Sequence, residues 1–296
     1  MIIVTGTSGF LGGALSESLG PVAIRISRSN ARIPDHHRLE LTIREHVEKF
    51  TRSQTRKPIS HLIHCAGVTP QSAASDYRAD LAMAENVASV CETLEIGTLV
   101  LLSGWVVYDP QATPPVSETA ALTPGTPYGR SKLAVENALR DQLGHTRVIT
   151  LRLASIYGPG QRSAGLIPNL VASARDAGTV TIRSLKTRRD YLYIDDFVAA
   201  VHSALKLEPS SHLELNLGSG RSVTVEEVSA IVRELFAQHY ARDVRVRVSK
   251  PAREATPIDN ELAIVEAKRL GLITSTTKFA TGLLEYIKWA GRENLP

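Results

Sequence analysis

Cysteine is almost missing from the chain, and so is any long uncharged apolar run. Cys65 and Cys91 are the only two thiols in 296 residues, and they have neither metal-ligand spacing nor the numbers of a disulfide framework. Such usage suits a reducing cytoplasm, and both read as small hydrophobes of a buried core. Although 43% of residues are hydrophobic, no stretch of about eighteen runs without charge, so a membrane-spanning helix is excluded and the protein reads as soluble. A basic leader is missing too: Met1-Ile2-Ile3-Val4-Thr5 runs as a strand straight into a glycine turn, and no targeting segment is expected. Nor does charge of one sign dominate. The formal +4 arises from 34 Lys and Arg set among 30 acids along the whole chain, which argues against a nucleic-acid partner. Arg242, Arg245 and Arg247, alternating with Val244, Val246 and Val248, predict an exposed edge strand whose charges discourage aggregation. There is no internal repeat or low-complexity tract.

What is present is alternation. Strand-like runs at Ile2-Ile3-Val4, Val22 to Ile26, His61 to Cys65, Thr98 to Leu102 and Val148 to Leu153 are separated by helix-period segments at Leu11 to Leu19 and Ala79 to Leu94. Thr42-Ile43-Arg44-Glu45 is a capping box that opens another helix. This order predicts an α/β protein built on a doubly wound parallel sheet with helices on both faces. After Leu153 the texture changes at Tyr157-Gly158-Pro159-Gly160, and a smaller α/β lobe of short strands and helices is expected. Within it, Thr224 and Glu227 form a second capping box, and Phe279 to Trp289 reads as an amphipathic helix. The boundaries expected are 1–153 for the sheet domain, with returning segments at about 191–217, and 154–190 with 218–296 for a discontinuous substrate lobe.

Thr5-Gly6-Thr7-Ser8-Gly9-Phe10-Leu11-Gly12 lies between the first strand and the first helix. Glycines there allow a tight turn and let a pyrophosphate approach backbone N–H groups and the positive end of the helix dipole, as in a Rossmann dinucleotide site. Gly6, Ser8, Gly9, Phe10, Leu11 and Gly12 are therefore candidate cofactor residues. The second strand ends in Ile26-Ser27-Arg28-Ser29, with no acid to accept hydrogen bonds from adenosine ribose hydroxyls. Arg28 can instead pair with a 2′-phosphate, for which the planar guanidinium fork is suited, so the cofactor reading leans to NADP over NAD, with Ser27 and Arg28 as candidate cofactor residues. A solvated surface arginine is the competing reading of Arg28. Tyr128 and Lys132 are four residues apart on a helix running to about Gln142, hence on one face. An ammonium beside a phenol stabilises phenolate and makes tyrosine a usable acid and base, although the same spacing also occurs in surface pairs.

In this order, these features resemble the extended short-chain dehydrogenase/reductase family, in its nucleotide-sugar epimerase/dehydratase branch, over essentially the whole chain. Further matching elements are His64-Cys65-Ala66-Gly67, Leu151-Arg152-Leu153-Ala154-Ser155-Ile156-Tyr157-Gly158-Pro159-Gly160, Arg189-Asp190-Tyr191-Leu192-Tyr193-Ile194-Asp195-Asp196 and Asn216-Leu217-Gly218-Ser219-Gly220. The resemblance implies that Gly6, Gly9 and Gly12 cradle the pyrophosphate, that Cys65, Ala66 and Gly67 line the cofactor, and that Lys132 holds the nicotinamide ribose and tunes Tyr128. It places Glu40, followed by Leu41, near adenine. It makes Arg189 a substrate-diphosphate arginine, with an ion pair to Asp195 or Asp196 as the alternative, and Arg253 a second phosphate arginine. A homodimer packed on the helices around Ala79 to Leu94 and Ser131 to Gln142 is also implied.

The chain departs from the family pattern at several points. The Ser or Thr expected four residues before the tyrosine of a V-Y-G sequence is Gly104, since Val107-Tyr108-Asp109 stands there. Ser103 and Thr126 are the two candidate replacements, and loss of one positioned donor costs about 2–4 kcal/mol of barrier stabilisation. The Asp-Glu pair of sugar dehydratases is replaced by Trp105 and Val106, which argues against dehydration and leaves epimerisation or ketone reduction. Asp80 stands where asparagine is common, and Ser155 replaces the usual substrate-side asparagine. The expected activity is an NAD(P)-dependent nucleotide-sugar 4-epimerase or 4-ketoreductase. A reductase of a smaller carbonyl compound and a non-catalytic cofactor sensor are the alternatives.

Overall fold

The computed structural model describes residues 1–27, 45, 59–69, 77–162, 165–182, 186–208, 211–248 and 259–293. In chain order these form β1 (Ile2–Thr5), α1 (Phe10–Leu19), β2 (Ala23–Ile26), β3 (His61–His64), α2 (Tyr77–Thr93), β4 (Thr98–Gly104), α3 (Pro127–Gln142) and β5 (Arg147–Leu153). The order continues with β6 (Ser155–Tyr157), α4 (Leu166–Ala177), β7 (Thr179–Ile182), β8 (Arg188–Tyr193), α5 (Ile194–Ala204), β9 (Leu213–Leu217) and β10 (Ser222–Thr224). It ends with α6 (Val225–Tyr240), β11 (Arg245–Val248), α7 (Val265–Arg269) and α8 (Phe279–Arg292). The capping box at Thr42 to Glu45 lies outside the described residues, apart from Glu45 itself.

Two compact units are formed. The first comprises Met1–Ala112, Glu118–Leu153 and Ala200–Asn216, and the second Thr113–Ser117, Ala154–Ala199 and Leu217–Pro296. The chain thus rejoins the first unit at Ala200, later than Tyr191, because β8 is hydrogen-bonded to β6 and β10 inside the second unit.

Among the described residues, the first unit is organised by a six-stranded sheet in the order β2-β1-β3-β4-β5-β9. The pairs from β2 through β5 are parallel. Strand order reverses at β1, which has β2 on one side and β3 on the other, and the carboxyl ends of β1 and β3 are thus the switch point at which sheets of this kind bind ligands. The apolar runs form strands because both sheet faces are buried: Ile3, Ile24, Leu62, Leu99 and Leu101 of one face pack with Ala84, Val87 and Cys91 of α2 and Val135 and Leu139 of α3, and Val4, Ile63 and Val100 of the other face have no exposed surface. Cys91 has no exposed surface, and burial pushes its thiol up to about 12.

In the second unit, β10-β8-β6 form a three-stranded sheet and β11-β7 a two-stranded one. Tyr157, Tyr191, Tyr193 and Phe279 make an aromatic cluster, with Tyr157 and Phe279 centroids 5.1 Å apart. The capping box at α6 has both of its bonds, Glu227 N–H donating to Thr224 Oγ1 at 3.0 Å and Thr224 N–H to Glu227 Oε2 at 2.6 Å. The Arg/Val alternation is only partly kept in β11: Val244 precedes the strand and is buried, whereas Val248 at its end is 59% exposed. Among the described residues β11 pairs with β7 alone, as an edge strand does.

Candidate active site

The glycine turn at the end of β1 is shaped by backbone close approach. Gly6 has φ +72°, and a Cβ there would lie 2.7 Å from Ala66 N. A Cβ on Gly12 would lie 2.4 Å from Gly6 O, so both positions need glycine for the turn, α1 and the segment after β3 to come together. Gly9 N–H closes the turn onto Gly6 O at 2.9 Å, and Thr7 N–H ties it to Ile26 O of β2 at 3.2 Å. Helix α1 starts at Phe10 with neither a side-chain cap nor an acid in its first turn. Ser8 and Gly9 are exposed, while Phe10, Leu11 and Ser27 are half-buried.

The segment after β3 connects this turn to α3. Cys65, Ala66 and Gly67 are half-buried, and Ala66 N–H donates to Thr5 Oγ1 at 3.3 Å. A Cβ on Gly67 would lie 2.5 Å from Lys132 Nζ and 3.0 Å from Asp80 Oδ1. Lys132 Nζ is 5.7 Å from the Tyr128 ring centroid and bonds Asp80 Oδ2 at 3.1 Å. Asp80 also accepts from Val68 N–H at 2.9 Å and from the Ser131 hydroxyl at 3.3 Å. Its side chain is 2% exposed. His64, behind the lysine, is fully buried and bonded to Thr5 Oγ1 through Nδ1 at 2.8 Å. Burial, reinforced by the Lys132 charge, pushes its imidazole down to about 4, so it is neutral near pH 7.

The two replacement hydroxyls differ in what they hold. Ser103 donates its proton to Glu136 Oε1 in a short, buried hydrogen bond. Glu136 in turn is gripped by Arg152, whose Nη1 reaches the Tyr108 hydroxyl at 3.2 Å, and Tyr108 donates to Asn216 Oδ1 at 2.7 Å. Thr126 is exposed and caps α3, its Oγ1 accepting from Gly129 N–H at 3.0 Å, a bond that leaves the hydroxyl proton able to donate. At Gly104 the backbone is extended, with φ −156° and ψ 161°. A Cβ there would make only ordinary contacts, 3.7 Å to Val106 Cγ2 and 3.8 Å to Leu153 O.

Ser155 and Arg189 belong to the second unit, on β6 and β8, and both are half-buried. Among the described residues Arg189 forms no ion pair with Asp195 or Asp196; Asp196 accepts from Thr277 instead. Arg28, Glu40, Leu41 and Arg253 lie outside the described residues.

A model of the NAD dependent epimerase/dehydratase family matches residues 2–218. The chain belongs to that family. Within this epimerase/dehydratase family, of the extended short-chain dehydrogenase/reductase type, similar proteins are nucleotide-sugar reductases and epimerases. dTDP-4-dehydro-6-deoxyglucose reductase of Escherichia coli is 30% identical over 253 residues, 77% of this chain and 79% of the relative. UDP-glucose 4-epimerase of Streptomyces lividans is 29% identical over 197 residues, 56% and 60% of the two chains. Among solved structures, UDP-glucose 4-epimerase of Thermotoga maritima with UDP-glucose aligns at TM-score 0.81 and 21% identity, over 100% of this chain and 99% of that one. The glycine turn fits the dinucleotide such an epimerase/dehydratase needs: its close-packed glycines and uncapped helix start leave backbone N–H groups for a pyrophosphate.

Three buried residues of the site meet partners that motif reading alone does not show. Glu136 falls four residues after Lys132, which extends the Tyr128/Lys132 face by one turn and is its only sequence signal. Arg152 falls within the matched Leu151 to Gly160 element, but its pairing with Glu136 is set only by the packing of α3 on β5. Asp80 registers in the sequence as a departure, but its ion pair with Lys132 emerges only once α2 packs on α3.

Proposed function

We propose that this chain acts at C4 of a nucleotide sugar, as a 4-ketoreductase or a 4-epimerase, with NADP favoured over NAD. One observation carries the reading. Gly6 packs on Ala66, and Gly67, the next residue, packs on Lys132, so the dinucleotide turn and the Tyr128/Lys132 pair share one continuous wall inside the first unit. Bound there, a nicotinamide dinucleotide supplies the hydride acceptor and donor. Tyr128 takes the proton from the C4 hydroxyl in the oxidising direction and returns it to the ketone oxygen in the reducing one. Lys132, one turn along, places its ammonium beside the phenol ring and favours the phenolate.

Thr126 is the better of the two hydroxyl donors in this reading, because Ser103 already donates to Glu136. Trp105 and Val106 supply no acid for a leaving hydroxyl, which directs the chemistry to redox without dehydration. Arg189 and Arg253 are assigned to the substrate diphosphate and Ser155 to the sugar side. Arg28 is assigned to a 2′-phosphate, and Glu40 and Leu41 to adenine. The reductase and epimerase relatives support a nucleotide-sugar substrate over a smaller ketone or a sensor role. A homodimer on α2 and α3, working in a reducing cytoplasm, completes the proposal.

The test begins with the purified protein. Weak cofactor retention, NADPH oxidation with a dTDP- or UDP-4-keto sugar, and thermal stabilisation by dTDP or UDP are expected. Tightly retained NAD would overturn the NADPH-reductase form and favour the epimerase. Tyr128→Phe is expected to lose about 10²–10⁴-fold in kcat; unchanged turnover would remove Tyr128 from the mechanism.

A further inference from the structure

Lys132 is not a lone cation. Its Nζ lies 3.1 Å from Asp80 Oδ2, and the two side chains are 10% and 2% exposed. Asp80 is held rigidly for this role, because Val68 N–H fixes Oδ1 while the Ser131 hydroxyl shares Oδ2. Among the described residues, the elements around the lysine bring one carboxylate to it and otherwise neutral groups. α2 supplies Asp80; β3 supplies His64, neutral through burial; β1 supplies Thr5, bonded to His64. One turn further along α3, Glu136 is matched by Arg152 of β5, and Ser103 of β4 adds only a hydroxyl. Among the described residues, the formal charges around the lysine therefore cancel in pairs, Lys132 with Asp80 and Arg152 with Glu136. With an amide in place of the Asp80 carboxylate, the same surroundings would carry one net positive charge.

We propose that Asp80 is a positioning residue that fixes the Lys132 ammonium and offsets its charge, so that Tyr128 works at higher pH than a lone lysine would allow. The proposal rests on the reading of Tyr128 as the proton-transfer group. The physical basis is the low effective dielectric of a buried pair, in which a carboxylate at hydrogen-bonding distance cancels much of the field an ammonium exerts on a neighbouring phenol. Asp80 acts through Lys132, not on the substrate.

The test reads the phenol itself. Tyrosinate absorbance is titrated for the full-length protein and for Tyr128→Phe, and their difference isolates Tyr128; the same difference is measured in the Asp80→Asn background. Asp80→Asn keeps shape and removes charge, and is expected to move the Tyr128 signal down by about one pH unit, a tenfold gain in phenolate at a fixed pH below the transition. An unmoved signal in folded Asp80→Asn overturns the proposal, since loss of a purely structural contact does not shift a phenol titration. If Asp80→Asn does not fold, Asp80→Ser, which also removes the charge and keeps a hydroxyl for Val68 N–H, is read in the same way: a downward shift of the Tyr128 signal supports the proposal and an unmoved signal overturns it. Tyr128→Phe with full turnover would sink the functional reading. An inactive Tyr128→Phe with an unmoved Asp80→Asn titration would sink this inference alone.

Discussion

Arg152 and Glu136 form a two-pronged ion pair in the interior of the first unit, with Nη2 to Oε2 at 2.9 Å, Nε to Oε2 at 3.2 Å and both side chains 2% exposed. The pair joins α3 to β5 one turn further along the helix face that carries Tyr128 and Lys132, and through Ser103 it also holds the end of β4. A buried pair of this kind adds little net stability over apolar packing, but it makes each partner indispensable to the other.

Glu136→Ala is therefore expected to destabilise the protein by about 3–5 kcal/mol, because it strands a buried guanidinium. Urea denaturation measures it. A loss below about 1 kcal/mol, the range of exposed pairs, would mean that the pair is far better solvated than its burial indicates.

His64 gives a pH dependence with a definite sign. Its imidazole titrates at about 4 when folded against the ordinary 6.5, so the unfolded chain binds a proton that the folded one refuses between those values. The stability due to neutral His64 is complete above pH 6.5 and is lost as pH falls towards 4, by about 1.4 kcal/mol per pH unit. Denaturant midpoints across this window should flatten in His64→Gln relative to the unmutated protein. Parallel slopes would refute the assignment.

Gly104 has room for the hydroxyl it lacks. Its φ of −156° is open to any residue, and a Cβ would meet only ordinary contacts. Gly104→Ser should keep the fold and raise kcat, by about tenfold or more if one oriented donor is restored to the reacting oxygen. A folded variant with unchanged kcat would show that the reaction does not use a donor at this position.

Thr126 can be separated from its capping role. Asp is also a good N-cap but, ionised, cannot donate a hydrogen bond. Thr126→Asp should leave the melting temperature close to that of the unmutated protein while lowering kcat about 10²-fold. Equal loss of stability and activity would assign Thr126 to capping alone.

Much of this was legible in the sequence because it depends on local order. The strand at Ile2–Thr5, the turn through Gly6, Gly9 and Gly12, and the helix that follows are consecutive, so their meaning survives without tertiary information. The same holds for Tyr128 and Lys132, whose common face follows from helix geometry, and for the Thr224/Glu227 capping box, which closes within one turn. By itself the sequence determined the alternation of elements, the glycine turn, the Tyr/Lys face and the absence of dehydratase acids.

Only the tertiary structure decided which groups face these residues. Asp80 and Lys132 are 52 positions apart, Ser103 and Glu136 are 33 apart, and Thr5 and His64 are 59 apart. Such partners are chosen by the packing of α2 and α3 on the sheet, where a buried charge or hydroxyl must find a mate across elements. The same requirement engages the Ser103 proton, neutralises His64 and pairs Lys132 with a carboxylate. No local pattern carries that information, because burial and charge pairing depend on distances between segments remote in the chain.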